Sequence, residues 1–168
     1  MKNHPASTQH GFSMLEILIV LVIVAVALLG TAGLQLNAMR LTKGSQFRTQ
    51  AVFLASDFAE RLEANKTEAI LGTYAVGQGN TVSTSTVDCV AATCSTANLA
   101  AWDIRQWEQS VNNLLPQASW NVTQTNAGDP TTYQIVISWI DRSDVKNVAS
   151  GGITDSYTAT RTVGNADD

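Results

Sequence analysis

The sequence predicts an α+β fold in which a long N-terminal helix packs on a small antiparallel β-sheet head. An apolar stretch near the amino terminus is long enough to cross a membrane as a helix, and an amphipathic pattern of helical period follows it directly. Alternating patterns typical of strands occupy the C-terminal part of the chain. A length of 168 residues allows one modest domain in addition to a membrane anchor.

The apolar stretch contains one charged residue. Glu16 is the only charge between Phe12 and Leu36, and the run Ile17–Leu29 is uninterrupted. A carboxylate inside a membrane-length segment costs about 2.5–3.5 kcal/mol on insertion scales, so such residues usually mark functional sites. Glu16 is therefore the first candidate functional residue of this chain.

The residues around Glu16 form a motif. A short polar leader ends in Gly11, the aromatic Phe12 follows, and Glu16 is the fifth residue counted from Phe12. This arrangement resembles the class III signal of type IV pilins and type II secretion pseudopilins. The resemblance implies that a prepilin peptidase cleaves between Gly11 and Phe12 and methylates the new amine of Phe12. A carboxylate buried among apolar helices needs a partner, and the Phe12 amine of a neighbouring subunit is the natural one, so we expect Glu16 to act in assembly. The alternative is that Glu16 serves only recognition by the peptidase or the methylase.

Two simpler explanations of the apolar stretch fit less well. A general secretory signal peptide needs a basic start and a small-x-small cleavage site, for which Ala25-Val26-Ala27 qualifies. However, the basic region contains only Lys2, and Glu16 interrupts the apolar core. An ordinary single-pass anchor explains the length of the stretch but neither Gly11 nor Glu16.

The resemblance continues beyond the apolar core. Residues 27–35, Ala-Leu-Leu-Gly-Thr-Ala-Gly-Leu-Gln, look like the corresponding segment of PilV-type minor pilins. That likeness implies a minor pilin that primes type IV pilus assembly at the filament tip, with effects on twitching and adhesion. The implied partners are other minor pilins, the major pilin, the prepilin peptidase, the inner-membrane assembly platform and a tip adhesin. A minor pseudopilin of a type II secretion system and a pilus-borne surface-binding module are the alternatives.

This interpretation divides the chain and orients it. The predicted segments are a leader (1–11), a transmembrane and assembly half of the helix (12–36), an amphipathic half (37–71) and a periplasmic head (72–168). Positive charges alone favour the opposite orientation, since Arg40, Lys43 and Arg48 follow the apolar stretch and only Lys2 precedes it. The leader outweighs this count, because its peptidase acts at the cytoplasmic face. The prediction is therefore an inner-membrane protein with a periplasmic head, which is later assembled into the pilus, and the basic residues form an exposed helix face.

Within the amphipathic half, the helix itself is predicted to run to about Lys66, and Gly72 is the nearest strong stop signal. Its apolar residues recur at steps of three and four and predict a stripe that lies on the head: Phe47, Ala51, Leu54, Ala55, Phe58, Ala59 and Leu62. Gly30, Gly33 and Gly44 are weak points, each costing up to about 1 kcal/mol relative to Ala. Gly30 and Gly33 allow either close approach of a second helix or local melting of this one. Alternatively, the membrane helix simply tolerates them.

A Gly-, Ser- and Thr-rich connection runs from Gly72 to about Ala97, with short strand turns possible at Tyr74–Val76 and Thr81–Val87. It suits either a variable contact loop or a solvated loop. Cys89 and Cys94 lie within it at C-x4-C spacing, which is not the C-x-x-C spacing of redox pairs. We expect a structural disulfide, as is usual in an oxidising compartment, worth about 2 kcal/mol for so short a loop.

The remaining elements are a second helix and three strands. The helix, Asn98–Leu115, is stopped by Pro116, and its apolar side comprises Leu99, Ile104, Trp107, Val111, Leu114 and Leu115. Trp102 and Trp107 are expected in the core rather than in a ligand site. The predicted strands are Trp120–Gln124, Tyr133–Ile140 and Tyr157–Val163, joined by a turn at Asn126–Pro130 and a polar connection at Asp141–Gly152. They form a three- or four-stranded antiparallel meander, followed by a loose tail at Gly164–Asp168.

Several function classes are disfavoured. Both histidines, His4 and His10, lie in the predicted leader, so the mature chain would have neither a histidine-dependent nucleophile pair nor a histidine metal ligand. Two cysteines are too few for a structural zinc site. The net charge is −4, and the Lys and Arg residues are scattered, which makes nucleic acid an unlikely partner. We predict no enzymatic activity, no catalytic residues, no cofactor and no metal.

Overall fold

The computed structural model describes residues 13–77, 88–141 and 152–164. Its elements occur in the predicted order: α1 (Met14–Ala64), α2 (Lys66–Leu71), α3 (Thr96–Leu114), β1 (Ser119–Asn126), β2 (Thr131–Asp141) and β3 (Ile153–Val163). Contacts divide the chain into two units, with the division between Met39 and Arg40. The predicted strand turn at Thr81–Val87 and the tail after Gly164 lie outside the described residues.

The predicted amphipathic helix divides into two helices at Asn65. The backbone of Asn65 leaves helical geometry (φ −130°, ψ 58°), and its side-chain amide donates to the carbonyl of Thr96 (2.8 Å) and to the hydroxyl of Tyr74 (3.2 Å). α2 then continues to Gly72, which adopts the left-handed conformation (φ 85°) that glycine tolerates best. Gly72 is thus the stop that the sequence indicates, but the long helix itself ends at Ala64.

The three strands form a meander in the order β1-β2-β3, with both pairs antiparallel. β3 begins at Ile153, four residues before the predicted start, because residues 153–156 pair with the end of β2 as far as Asp141. The β1–β2 turn contains Gly128 with φ 113° and a cis Asp129–Pro130 bond. Gly77 forms an isolated antiparallel bridge to Asn121, so the predicted strand turn near Val76 adds one bridge to the outer edge of β1.

One face of the sheet covers the head's core. On β2 the alternating residues Tyr133, Ile135, Ile137 and Trp139 are all buried, as the alternation predicts. They pack with the α1 stripe, in which Ala51, Leu54, Ala55, Phe58 and Leu62 are buried and Phe47 and Ala59 are partly buried. Trp107 joins them, with its ring centroid 4.6 Å from that of Phe58 and 5.3 Å from that of Trp120. The α+β architecture of the predictions is therefore confirmed.

α3 starts and ends differently from its prediction. The hydroxyl of Ser95 accepts from the N–H of Asn98 and caps the helix, which begins two residues earlier than expected. Leu115 is extended, as is usual before proline, and it is the buried residue at this end. The prediction that Leu114 is buried is wrong, since it is 46% exposed. Trp107 is fully buried, whereas Trp102 is only partly buried and is not a core residue.

Candidate functional site

The N-terminal unit presents an apolar helix surface. α1 contains a segment long and apolar enough to cross a membrane, and none of that segment is buried within the chain. Isoleucine, leucine and valine side chains here are about half to three-quarters exposed, such as Ile17 (52%) and Leu29 (74%). In water such a surface would be strongly unfavourable. The helix therefore requires lipid or other apolar helices around it.

Glu16 lies in the first turn of this helix. Ser13 begins the turn: its carbonyl accepts from the N–H of Glu16 (3.0 Å), and its hydroxyl accepts from the N–H of Leu15 (3.3 Å). A carboxylate in the first turn interacts favourably with the positive end of the helix dipole. Glu16 is exposed on the helix surface, with Ile17, Val20 and Leu21 beside it. Its side chain is thus available to a group on another molecule. The predicted processing residues Gly11 and Phe12 lie outside the described residues.

Gly30 and Gly33 have open space beside them in the described part of the chain. A Cβ added at Gly30 or Gly33 would have no heavy atom within 4 Å, and α1 is continuous through both positions. No residue that the structure describes therefore requires glycine there, and the helix is not melted. Close approach by a second helix remains an expectation.

In the head, the structure joins Cys89 and Cys94 in a disulfide with Cα atoms 5.5 Å apart. Asp88 shapes the start of this loop. Its side chain accepts from the N–H of Val90 (2.9 Å), and its carbonyl accepts from the N–H groups of Ala91 and Ala92. The loop is thus held at both ends, by the disulfide and by a turn, immediately before α3.

Below this loop lies a polar cluster that the sequence interpretation missed. Asp103 is largely buried and accepts from the guanidinium of Arg61 (3.0 Å) and from the hydroxyl of Tyr74 (2.8 Å). Glu68, also largely buried, accepts from the hydroxyls of Thr73 (2.6 Å) and Thr96 (2.8 Å). These bonds tie α1, α2, α3 and the segment after Gly72 together. The sequence signal that could have indicated this cluster is a charged residue within the apolar pattern of α3, namely Asp103 beside Ile104.

Two buried tyrosines have altered acidity. Burial, followed by the hydrogen bond to Asp103, raises the pKa of Tyr74 well above its usual value. Burial raises the pKa of Tyr133 to about 12, and its hydroxyl donates to the carbonyl of Ala69 (2.6 Å). Both phenols stay neutral at physiological pH, so they act here as structural donors rather than as acids or bases. Among the described residues, no group of three or more His, Cys, Asp or Glu side chains could hold a metal ion.

Two family models match this chain. The family model for the prokaryotic N-terminal methylation motif matches residues 6–32. A second model, described as type IV pilin Tt1218, matches residues 33–105. The chain belongs to the type IV pilin superfamily. No curated protein and no solved structure matches it significantly.

In this pilin, Glu16 lies in the part that the methylation-motif model matches, and the polar cluster of the head lies in the part that the type IV pilin model matches. Residues 6–32 include Gly11, Phe12 and Glu16, and they carry the motif that makes a chain a substrate of the prepilin peptidase. The exposed apolar helix fits a membrane-anchored pilin that is assembled into a pilus with other pilins. Pilins are structural proteins. The hydrogen bonds of the polar cluster join α1 and α2 to α3, so the cluster has the geometry of an internal brace.

Proposed function

We propose that this pilin is a minor pilin of the PilV type, which helps to prime type IV pilus assembly at the filament tip and affects twitching and adhesion. One observation carries the proposal: Glu16 is the single carboxylate on an exposed apolar helix surface that begins with a methylation motif. The similarity of Ala27–Gln35 to PilV-type pilins supports the choice of a minor rather than a major pilin.

The proposed mechanism begins with processing. Cleavage of the peptide bond between Gly11 and Phe12 creates a new amine on Phe12, which is then methylated and keeps its positive charge. In the assembled bundle, water is excluded from the apolar helices, and an unpaired charge there is strongly unfavourable. The Phe12 amine of a neighbouring subunit is therefore the expected partner of Glu16. Because opposite charges attract more strongly in a low dielectric, the pair also fixes the axial register of the two helices.

The pilin head supplies the second part of the mechanism. Its core and polar cluster are completed within the chain, so the head can fold in the periplasm before assembly. The anchored helix then carries the folded head into the assembly. The match of residues 33–105 to a type IV pilin family favours a pilus over the secretion alternative.

A deletion strain complemented with the full chain tests this proposal. We expect fewer surface pili and less twitching in the deletion strain, unchanged type II secretion, and restoration on complementation. Mass spectrometry of the complementing protein should find a mature chain that begins at methylated Phe12. Normal piliation together with a secretion defect would identify a pseudopilin instead, and an intact leader in cells with active peptidase would contradict the processing step.

A further inference from the structure

The densest group of positive charges in this chain directly follows the membrane-length segment of α1. Arg40, Lys43 and Arg48 are three of its ten Lys and Arg residues, and residues 17–56 contain no Asp or Glu. As a topology signal, these charges favour an orientation opposite to the one that the leader predicts. They therefore need a physical role other than orientation.

Arg40 and Lys43 are available to a ligand. Both are exposed, and none of the ion pairs within the described residues involves either of them. Arg48 differs, because its guanidinium lies 4.0 Å from the carboxylate of Asp155. The three-residue spacing places Arg40 and Lys43 on the same face of α1, with Cβ atoms about 5–6 Å apart. We call these two residues the basic pair.

The basic pair lies among exposed apolar residues. Met39 is 67% exposed and Leu41 is 59% exposed. Water is unfavourable for these apolar side chains, and hydrocarbon is unfavourable for the two cations. Both kinds of residue are accommodated at the boundary between hydrocarbon and headgroups, where long basic side chains bury their stems and extend their charges towards water. The sequence around Arg40 therefore fits the membrane surface.

The length of the preceding segment indicates the same level. Residues 17–39 would extend about 34 Å as a straight helix, whereas the hydrocarbon core of a bilayer is about 30 Å thick. The headgroup layers add about 5–7 Å on each side. Arg40 is the first charged residue after this segment, and Lys43 follows about 4.5 Å farther along α1. Both side chains can thus reach the phosphate level.

We propose that the basic pair binds the phosphate groups of anionic phospholipids, such as phosphatidylglycerol, where α1 leaves the bilayer. Charge complementarity carries this choice of ligand, because two neighbouring cations without an acidic partner among the described residues meet a surface of negative charge. The guanidinium of Arg40 can bind a phosphate through two parallel N–H donors, and the ammonium of Lys43 acts as a point charge. In the orientation proposed above, these lipids belong to the periplasmic leaflet.

The contact sets the depth of the helix rather than its attachment. A membrane-spanning helix is already inserted almost irreversibly. However, an apolar segment longer than the hydrocarbon core can tilt or shift, and interfacial Lys and Arg residues limit that freedom. Headgroups bound by Arg40 and Lys43 therefore fix how far the apolar segment enters the bilayer. The inference goes beyond the proposed function, because it requires only a membrane anchor.

Lipid titration of the full chain tests the site. The protein is purified in a neutral detergent and titrated with phosphatidylglycerol or with zwitterionic phosphatidylcholine, and native mass spectrometry quantifies the bound lipid. Each interfacial cation should contribute about fivefold in affinity. Phosphatidylglycerol should therefore bind at least 25-fold more tightly, on this order-of-magnitude basis, than phosphatidylcholine. Equal affinities for the two lipids would overturn the proposal.

Variants of the basic pair assign the preference to its residues, since Lys2 and the amino terminus also attract anionic lipid. Arg40→Gln combined with Lys43→Gln should weaken phosphatidylglycerol binding about 25-fold and leave phosphatidylcholine binding unchanged. Gln forms helices about as well as Lys and Arg, so the helix content should not change. Arg40→Lys combined with Lys43→Arg keeps both charges and should retain the parent affinity within about twofold. An unchanged affinity in the Gln variant would reject the site.

Arg48→Gln is the matched control for a single charge. Arg48 belongs to the same basic group, but it lies about 12 Å farther along α1 than Arg40 and is already close to Asp155. Its loss should change phosphatidylglycerol affinity by less than about twofold, whereas Arg40→Gln alone should weaken it about fivefold. Equal losses in the two variants would show a response to net charge rather than to position, and would contradict the proposal.

Two further arms separate lipid from other partners. Inorganic phosphate, at the same concentration as phosphatidylglycerol, should not displace the lipid, because only the lipid has acyl chains that pack beside α1. Displacement would show an adventitious anion site only and would overturn the inference. The basic pair could instead contact another protein. Loss of other pilins on co-purification of the Gln variant, with unchanged lipid affinity, would show that and would equally overturn it.

This inference and the proposed function can fail separately. Loss of the phosphatidylglycerol preference in the Gln variant supports the lipid site even if deletion of the chain leaves piliation unchanged, a result that would reject the minor pilin role. Conversely, a piliation defect on deletion together with equal affinities for the two lipids would leave that role intact and reject the lipid site.

Discussion

The two units of this pilin are stabilised in opposite ways. In the head, from Arg40 onwards, large side chains such as Phe58, Trp107 and Trp139 are at most 1% exposed, and the buried carboxylates have partners in the same chain. From Ser13 to Met39, by contrast, every side chain is exposed, and the single carboxylate lies on an apolar surface. The head is therefore specified by its own contacts, whereas the N-terminal helix is specified by what surrounds it. Changes that unfold the head should therefore leave the N-terminal helix and its processing unchanged.

Truncating the core aromatic should unfold the head and leave the N-terminal helix unaffected. Trp107 packs on Phe58 and Trp120 and donates to the carbonyl of Leu54. Trp107→Ala should lower the free energy of unfolding by about 3–5 kcal/mol, a large share of a typical domain's stability. Denaturant titration of the detergent-extracted full chain measures this loss. Membrane level and leader cleavage should be unchanged.

Trp102→Ala is the matched control, since Trp102 lies on the same helix but is only partly buried. Its loss of stability should be clearly smaller. If Trp107→Ala abolished cleavage as well, the two units would not be independent in the way described.

Breaking the polar cluster should have the next largest effect. Asp103→Ala leaves the hydroxyl of Tyr74 without its buried acceptor and removes one partner of Arg61, which keeps Asp57. We expect a loss of about 2–4 kcal/mol, and a smaller loss for Asp103→Asn, which keeps one acceptor. Thermal or chemical unfolding gives both values. Glu60→Ala, an exposed change on α1, should stay within about 0.5 kcal/mol, and a comparable effect there would count against the brace.

Removing the disulfide should cost less than either change. Closing so short a loop contributes only about 2 kcal/mol, so the variant with Cys89→Ser and Cys94→Ser should still fold. Its head should keep its unfolding cooperativity with a lower midpoint. Thiol labelling of the exported parent protein without reductant should detect no free cysteine. Two accessible thiols, or complete unfolding of the variant, would be inconsistent with a local role for the loop.

High pH should weaken the head only above the ordinary range of tyrosine. The folded-state pKa values of Tyr74 and Tyr133 are raised by burial, that of Tyr133 to about 12, whereas an unfolded tyrosine titrates near 10. The stability from neutral phenols is thus fully present below pH 10 and is lost as the pH rises through 10 towards 12. Unfolding free energies at pH 8–12 should show this decline, and Tyr133→Phe should make it shallower. A constant stability up to pH 12 would contradict the burial argument.

Periodicity was sufficient to predict most of the fold. The α1 stripe, the alternation of β2 and the stop at Gly72 follow from side-chain spacing and from the conformational range of glycine. Long-range pairing was not visible in the sequence. The break at Asn65 depends on Tyr74 and Thr96, and the early start of β3 depends on the length of its partner β2.

The candidate sites were unequally predictable. Glu16 stands out because one charge in an apolar run is conspicuous in any sequence. Asp103 and Glu68 do not, since their partners come from separate elements. The exposed Val90 lies in a Thr-rich connection whose spacing gives no indication of burial or exposure.

We propose that Glu16 serves assembly by pairing with another subunit, and the co-assembly of processed Glu16 variants tests this pairing. Glu16→Ala, Glu16→Gln and Glu16→Asp are each expressed in a strain that lacks the parent chain. The amount of cleaved protein is quantified first, and then its co-purification with other pilins and the number of surface pili. We expect normal cleavage in all three variants, poor co-assembly for Glu16→Ala and Glu16→Gln, and substantial rescue by Glu16→Asp, which keeps the charge. Cleaved Glu16→Ala protein that co-assembles and supports piliation at the parent level would contradict it.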